Sequence, residues 1–210
     1  MGRPFKHNSH TREALLDAAE RLLATGGPDA VSVRAVAEEI NESTRAVYSA
    51  FGSKQVLLHA LAARGFGFLA DLVDAVPTTD DAAADLVQAG IDGFRAFAIG
   101  RPHLFRITFE QLSTEVIADP VANRELGRSY SALAARVRRA LDSGELAPRP
   151  IVEIVFAFHS FCHGLAVNET SRLPPPVGTN FWRRLGEVDG AQIWRFALEA
   201  FVDGLRPPSA

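Results

Sequence analysis

A single cysteine, Cys162, stands among 210 residues, so no intrachain disulfide can form and a disulfide-stapled fold is excluded. A lone thiol suits a reducing compartment, and the expected location is cytoplasmic. Long apolar runs are also missing. No stretch of about 18 apolar residues is free of charge, and the N-terminal MGRPFKHNSHTRE lacks the apolar core of a signal peptide, so neither membrane spanning nor signal-directed secretion is expected. An excess of one charge is lacking too: 22 Lys+Arg face 25 Asp+Glu, a formal net charge of −3. A broad basic surface is thereby excluded, and any polyanion must be met by individually placed charges.

The motifs of several chemistries are absent as well. There is no phosphate-cradling Gly loop, no Gly-x-Ser-x-Gly elbow and no pair of zinc-type Cys motifs; Gly65-x-Gly67 is too short to signify. No catalytic residue, cofactor or metal is therefore assigned, and the chain is not expected to be an enzyme. His159 and His163 lie four apart on one helical face beside Cys162, a spacing that can seat a metal, but no third ligand has diagnostic spacing. Buried, hydrogen-bonded histidines are the simpler account.

What is present is an ordinary globular composition, 47% hydrophobic and 22% charged. A chain of this length buries roughly 70% of its unfolded surface and needs no staple. Glycine and proline divide it into helix-length segments, and no segment alternates at period two, so an all-α fold is expected. The first helix is expected from Thr11 to Thr25, with Leu15, Ala18, Ala19, Leu22 and Leu23 on one side and Gly26-Gly27-Pro28 stopping it. Ser32, Ser43 and Ser53 then each precede a short helical run and read as N-caps for Val33–Ile40, Thr44–Phe51 and Lys54 to about Leu72. Two short helices joined by Asn41-Glu42 make a helix-turn-helix, whose second helix is sized for a DNA major groove.

Beyond Pro77, helices are expected over Asp80–Gly100, Pro102–Glu110, Pro120–Ser143, Pro150–Ser171 and Ala191–Leu205, with a Pro-rich loop over Leu173–Val188. Pro150–Ser171 is apolar nearly all round, which argues for burial on more than one face. The domains expected are a three-helix helix-turn-helix domain over 1–53 and a larger helical body over 54–210, the helix from Lys54 being shared.

With these residues laid out, the stretch 11–70 resembles the N-terminal DNA-binding domain of the TetR family of bacterial transcription regulators. The resemblance rests on the three caps, Val33-Arg34-x-Val36-Ala37, the pair Val47-Tyr48 and the string Phe51-Gly52-Ser53-Lys54. A shorter likeness, Arg101-Pro102-His103-Leu104-Phe105-Arg106 with Phe161-Cys162-His163-Gly164-Leu165, resembles the subgroup whose ligand domain carries a His-Gly (WHG-type) signature. Three positions depart from the family pattern. Asn41 stands where the turn usually has Gly, and it tolerates the left-handed conformation. Ala46 and Ala50 replace potential phosphate donors.

The resemblance implies DNA contacts from Arg34, Thr44, Arg45, Tyr48, Ser49 and Lys54, with Lys54 acting on phosphate beside first-turn amides. A guanidinium such as that of Arg45 can also bind guanine O6 and N7 together. The arm Arg3, Lys6 and His7 is a further candidate for a minor groove, although such termini are more often without order. A ligand site is expected around Phe94, Phe97, Phe105, Phe109, Phe158, His159, Phe161 and His163, apolar walls with a few polar groups. Ordinary core packing accounts for most of the fourteen phenylalanines.

The expected partners are a pseudo-palindromic double-stranded DNA operator, a small-molecule effector and a second copy of the chain, with no membrane. The last two helices supply the dimer faces, the final one through an aromatic stripe relieved by Ala197, Ala200 and Gly204. The expected function is a ligand-responsive, sequence-specific regulator, a repressor released by a small apolar effector. The alternatives are a constitutive or activating regulator, an adaptor that uses its helix-turn-helix for protein contacts, and an all-helical enzyme.

Overall fold

The computed structural model describes residues 5–110, 118–170 and 189–208, the side chains of 5–9 and 110 excepted. The loop expected over Leu173–Val188 lies outside the described residues, as do Arg3 and the side chains of Lys6 and His7. Every regular element among the described residues is helical: α1 (Phe5–Ala30), α2 (Val33–Glu39), α3 (Thr44–Phe51), α4 (Lys54–Ala75), α5 (Ala82–Gln88), a π-helical stretch (Ala89–Arg95), α6 (Ala96–Gly100), α7 (Pro102–Glu110), α8 (Pro120–Asp142), α9 (Ile151–Thr170) and α10 (Gly190–Asp203).

The expected boundaries hold within a few residues except at two places. Helix α1 begins at Phe5 rather than Thr11 and is broken at Gly27, whose φ of 69° and ψ of −169° are non-helical; one further turn follows to Ala30. Gly27 interrupts the helix as a residue free of Cβ can, while Pro28 opens the short continuation because the first turn needs no proline N–H. The segment expected as one α-helix over Asp80–Gly100 is capped by Asp81, whose side chain accepts from Ala84 N, and its middle widens into seven residues of π-helix.

Two compact units divide the chain, Met1–Gly67 with Arg101–Gly127, and Phe68–Gly100 with Arg128–Ala210. In the first, Leu15, Ala18, Ala19 and Leu23 of α1 are buried, as are Val36 and Ala37 of α2, Val47 and Phe51 of α3, and Leu57 of α4. Helix α7 packs on α1 in the same unit. Its Phe109 ring meets Phe66 edge-on at 5.7 Å between centroids. Arg64 of α4 binds three carboxylates of α1: Glu13, Asp17 at 2.6 Å and Glu20 at 2.9 Å.

In the second unit, Arg136 of α8 donates to the C-terminal carbonyls of α4, among them Val73 O at 2.9 Å, so unsatisfied acceptors of that helix end meet a cation. Glu145 accepts from the first-turn amides of Ala82 and Ala83 at 3.0 and 2.8 Å and does the complementary service for α5. Its carboxyl is held below the usual range, chiefly by the Ala83 amide. By length and apolar composition both α4 and α9 could cross a bilayer, but 61% of the most apolar window of α4 is buried against only 28% of that of α9. Within one chain, helix α9 therefore buries one face, Ile154, Val155, Phe158, Cys162 and Ala166, and exposes apolar residues such as Val152 and Phe156 on the other.

Candidate nucleic-acid interface

The three serine caps are all formed. Ser32 Oγ accepts from Ala35 N at 3.1 Å, Ser43 Oγ from Ala46 N at 3.2 Å and Ser53 Oγ from Val56 N at 3.2 Å. Each satisfies an amide that the first helical turn leaves without a partner. Between α2 and α3 the chain turns at Asn41, whose φ of 54° is the one positive value at a non-glycine among the described residues. Glu42 N donates to Ala37 O at 2.8 Å and Asn41 N to Glu38 O at 3.2 Å, the paired bonds of a Schellman ending with asparagine in the left-handed position.

That turn sets the two faces of α3. Val47 and Phe51 point inward and are buried, and the Arg12 guanidinium lies 4.7 Å from the centre of the Phe51 ring. Thr44, Arg45, Tyr48 and Ser49 are exposed along one side, Tyr48 by 54% even though it is an aromatic residue next to a core position. Ala46 and Ala50 are half-buried at the margins of that strip. Lys54 is exposed at the first turn of α4. Among the described residues neither Arg45 nor Lys54 has an ion-pair partner. Arg34 differs: its Nε donates to Glu38 Oε1 at 2.7 Å, an i,i+4 pair in which both side chains are largely exposed. All six candidate DNA-contact residues are thus on α2, α3 and the start of α4, each reachable by solvent.

The eight residues expected around a ligand are divided between the two units. Phe105 and Phe109 belong to the first unit, where their rings are 4.8 Å apart and Phe109 packs on Phe66. In the second unit Phe97 is fully buried against Phe68, with ring centroids 5.3 Å apart. Phe158 and Phe161 both face Phe201, at 5.8 and 5.3 Å, and Phe161 is exposed on the outer side of α9.

Phe94, His159 and His163 do form a group. Phe94 meets His159 edge-on at 5.4 Å, and the two imidazoles stack with centroids 6.3 Å apart. Tyr130, which carries no sequence signal for such a place, completes it at 5.0 Å from His159. Burial, with the adjacent His163, lowers the His159 imidazole to about 4, so it is neutral near pH 7. Burial likewise raises the Tyr130 phenol and pushes the Cys162 thiol well above its ordinary range. No cluster of three or more metal-ligating side chains occurs among the described residues.

Comparison with known proteins bears on both units. Residues 15–61 match the family model described as bacterial regulatory proteins, tetR family, and residues 87–185 match one described as tetracyclin repressor-like, C-terminal domain. Together the two cover well over half of the chain. No curated protein matches. Among solved structures, a protein of unknown function from Rhodococcus sp. RHA1 superposes with a TM-score of 0.76 at 22% identity, over 98% of this chain and 100% of that one. The TetR family transcriptional regulator PfmR from Thermus thermophilus gives 0.62 at 18% identity, over 92% and 99%. RolR in complex with resorcinol gives 0.65 at 20% identity, over 97% and 91%. At these identities the likeness is one of fold.

Proposed function

The chain belongs to the TetR family of bacterial regulatory proteins and is a DNA-binding transcription regulator with a ligand-binding C-terminal domain, and we propose that it is a repressor released from a pseudo-palindromic operator by a small effector. The observation that carries the DNA side is the exposed strip Thr44, Arg45, Tyr48 and Ser49 on a helix whose opposite side is locked into the core by Val47 and Phe51. A short helix presented in this way fits a major groove roughly 12 Å wide. Arg45 and the hydroxyls of Thr44 and Ser49 would meet base edges. Tyr48, Arg34 and Lys54 would meet phosphate, Arg34 exchanging Glu38 for it. Every DNA contact so assigned is a polar or cationic side chain exposed at the surface.

One such head reads too few bases to define a genomic site, and a two-fold pair doubles the contact. Support for a homodimer comes from the outer faces of α9 and α10. Val152 (68%), Phe156 (66%) and Phe196 (74%) are exposed, an apolar surface that a second copy of the same two helices would cover as a four-helix interface. Half-sites would then lie about one helical turn apart, roughly 34–36 Å, or a multiple of it.

The effector would bind in the second unit beside Phe94, His159, His163 and Tyr130. The neutral His159 imidazole offers one donor and one acceptor among aromatic walls, a lining that suits a small planar molecule. The resorcinol bound by a protein of the same fold is such a molecule. A coupling of about 1–3 kcal/mol between effector and DNA would change operator affinity roughly 5- to 150-fold. Nothing in the described residues calls for catalysis, and no enzymatic role is proposed.

Selection of bound duplexes from a random pool tests the reading. Enrichment of sites with two-fold symmetry and half-sites one or two helical turns apart is expected. Enrichment of asymmetric sites, or none at all, would remove the proposal.

A further inference from the structure

The exposed strip of α3 also constrains what the protein can read. We infer that Arg45 is the dominant base-reading side chain, and that each half-site of the operator is defined by one guanine gripped through O6 and N7. The inference rests on the DNA-binding reading above and deepens it.

Three observations carry it. Helix α3, TRAVYSAF, contains no Asn or Gln, the side chains that bind adenine in bidentate fashion, and no Asp or Glu to accept from cytosine N4. Arg45 is the sole cation on the helix, and its planar fork matches the two acceptors guanine presents in the major groove. It is exposed at the second position after the Ser43 cap, with Thr44 before it and Tyr48 and Ser49 one turn on, and without a carboxylate partner among the described residues.

The other arginine near the strip, Arg34, is on α2 and engaged by Glu38 at 2.7 Å, so its fork is partly committed before DNA arrives. Hydroxyls of Thr44 and Ser49 accept or donate to any base and discriminate weakly. The half-buried Ala46 and Ala50 present only methyl groups, which favour a neighbouring thymine methyl without fixing a position. The strip therefore holds one strong discriminator surrounded by permissive contacts.

Selection from a random duplex pool with the full-length protein, Arg45→Ala and Arg34→Ala tests this, with helicity checked by circular dichroism. The wild type is expected to enrich one guanine at a fixed position in each half-site. Arg45→Ala should lose that preference by roughly 5- to 150-fold while still retaining phosphate-driven binding. Arg34→Ala should weaken binding evenly across sequences and keep the guanine. A wild-type site without a fixed guanine, or the same guanine recovered with Arg45→Ala, would overturn the assignment while leaving DNA binding in place. A wild type that enriches no sequence would overturn the underlying regulator reading and this inference with it.

Discussion

Arg34 and Glu38 face each other one turn apart on α2, Nε to Oε1 at 2.7 Å, both in contact with water at the edge of the helix-turn-helix. The Glu38 oxygens hold the Arg34 guanidinium more firmly protonated, chiefly through that hydrogen bond, and also occupy the donor a phosphate would use. On the proposed reading, Glu38 would compete with a DNA phosphate for Arg34.

Glu38→Gln should tighten operator binding at low salt and steepen the dependence of log K on log salt by up to about one unit, because one more cation is released to neutralise phosphate. Fluorescence anisotropy across a salt series measures it. An unchanged slope would mean that Arg34 does not reach the backbone.

Gly65 of α4 lies against Thr108 of α7. A Cβ at that position would collide with Thr108 Oγ1 and lie 3.0 Å from Thr108 Cβ, and Thr108 is buried with its hydroxyl donating to Leu104 O at 2.8 Å. Gly65→Ala should destabilise the protein by about 1–3 kcal/mol, the usual cost of overpacking, as read from urea unfolding. Thr108→Ala in the same chain should recover part of the loss, since the colliding oxygen goes with it.

These two residues mark where reading from sequence stops. Ser32, Ser43 and Ser53, the left-handed Asn41 and the bounds of α3 were legible because a cap or a turn is decided by the chemistry of a few adjacent residues. The grip of Arg64 on Glu13, Asp17 and Glu20 was not, because the partners lie 44 to 51 residues away. Periodicity reports that a phenylalanine is buried and not against what. Hence the burial of Phe109 was legible, but not that its ring meets those of Phe66 and Phe105. The π-helical stretch at Ala89–Arg95 leaves no mark on an apolar pattern compatible with either helix.

Acid should destabilise the protein in two stages. His159 is lowered from 6.5 to about 4 by burial and His163, so the unfolded chain binds the proton more readily. The stability this contributes is complete above about pH 6.5 and is lost as pH falls towards 4, about 3 kcal/mol at most. Asp85 is desolvated, yet its pKa is lowered because Thr79 donates to it through N and Oγ1 and Arg139 pairs with it. Glu145 is lowered as well. Their contribution is present above the ordinary carboxylate range and disappears below it. Thermal unfolding between pH 7 and pH 3 should show both stages, with His159→Phe removing the first alone; a single stage near pH 4 in the wild type would refute the assignment.

Phe196 is 74% exposed on α10, next to the inward Trp194 and Leu198, so a charge placed there should leave the core intact. Phe196→Glu should weaken self-association by roughly thirtyfold or more, as loss of a central aromatic contact does. Sedimentation would show a shift from dimer towards monomer, with helicity unchanged. A dimer of undiminished affinity would place the interface elsewhere.

The central claim is that α3 and the start of α4 lie against duplex DNA. Titrating a selected two-half-site duplex from roughly 50 to 200 mM salt tests it most directly, with wild type and Lys54→Ala compared. The account predicts that log K falls linearly with log salt, about 0.9 for each phosphate neutralised, and that the Lys54→Ala line is shallower by about one unit. Binding indifferent to salt, or parallel lines for the two proteins, would contradict it.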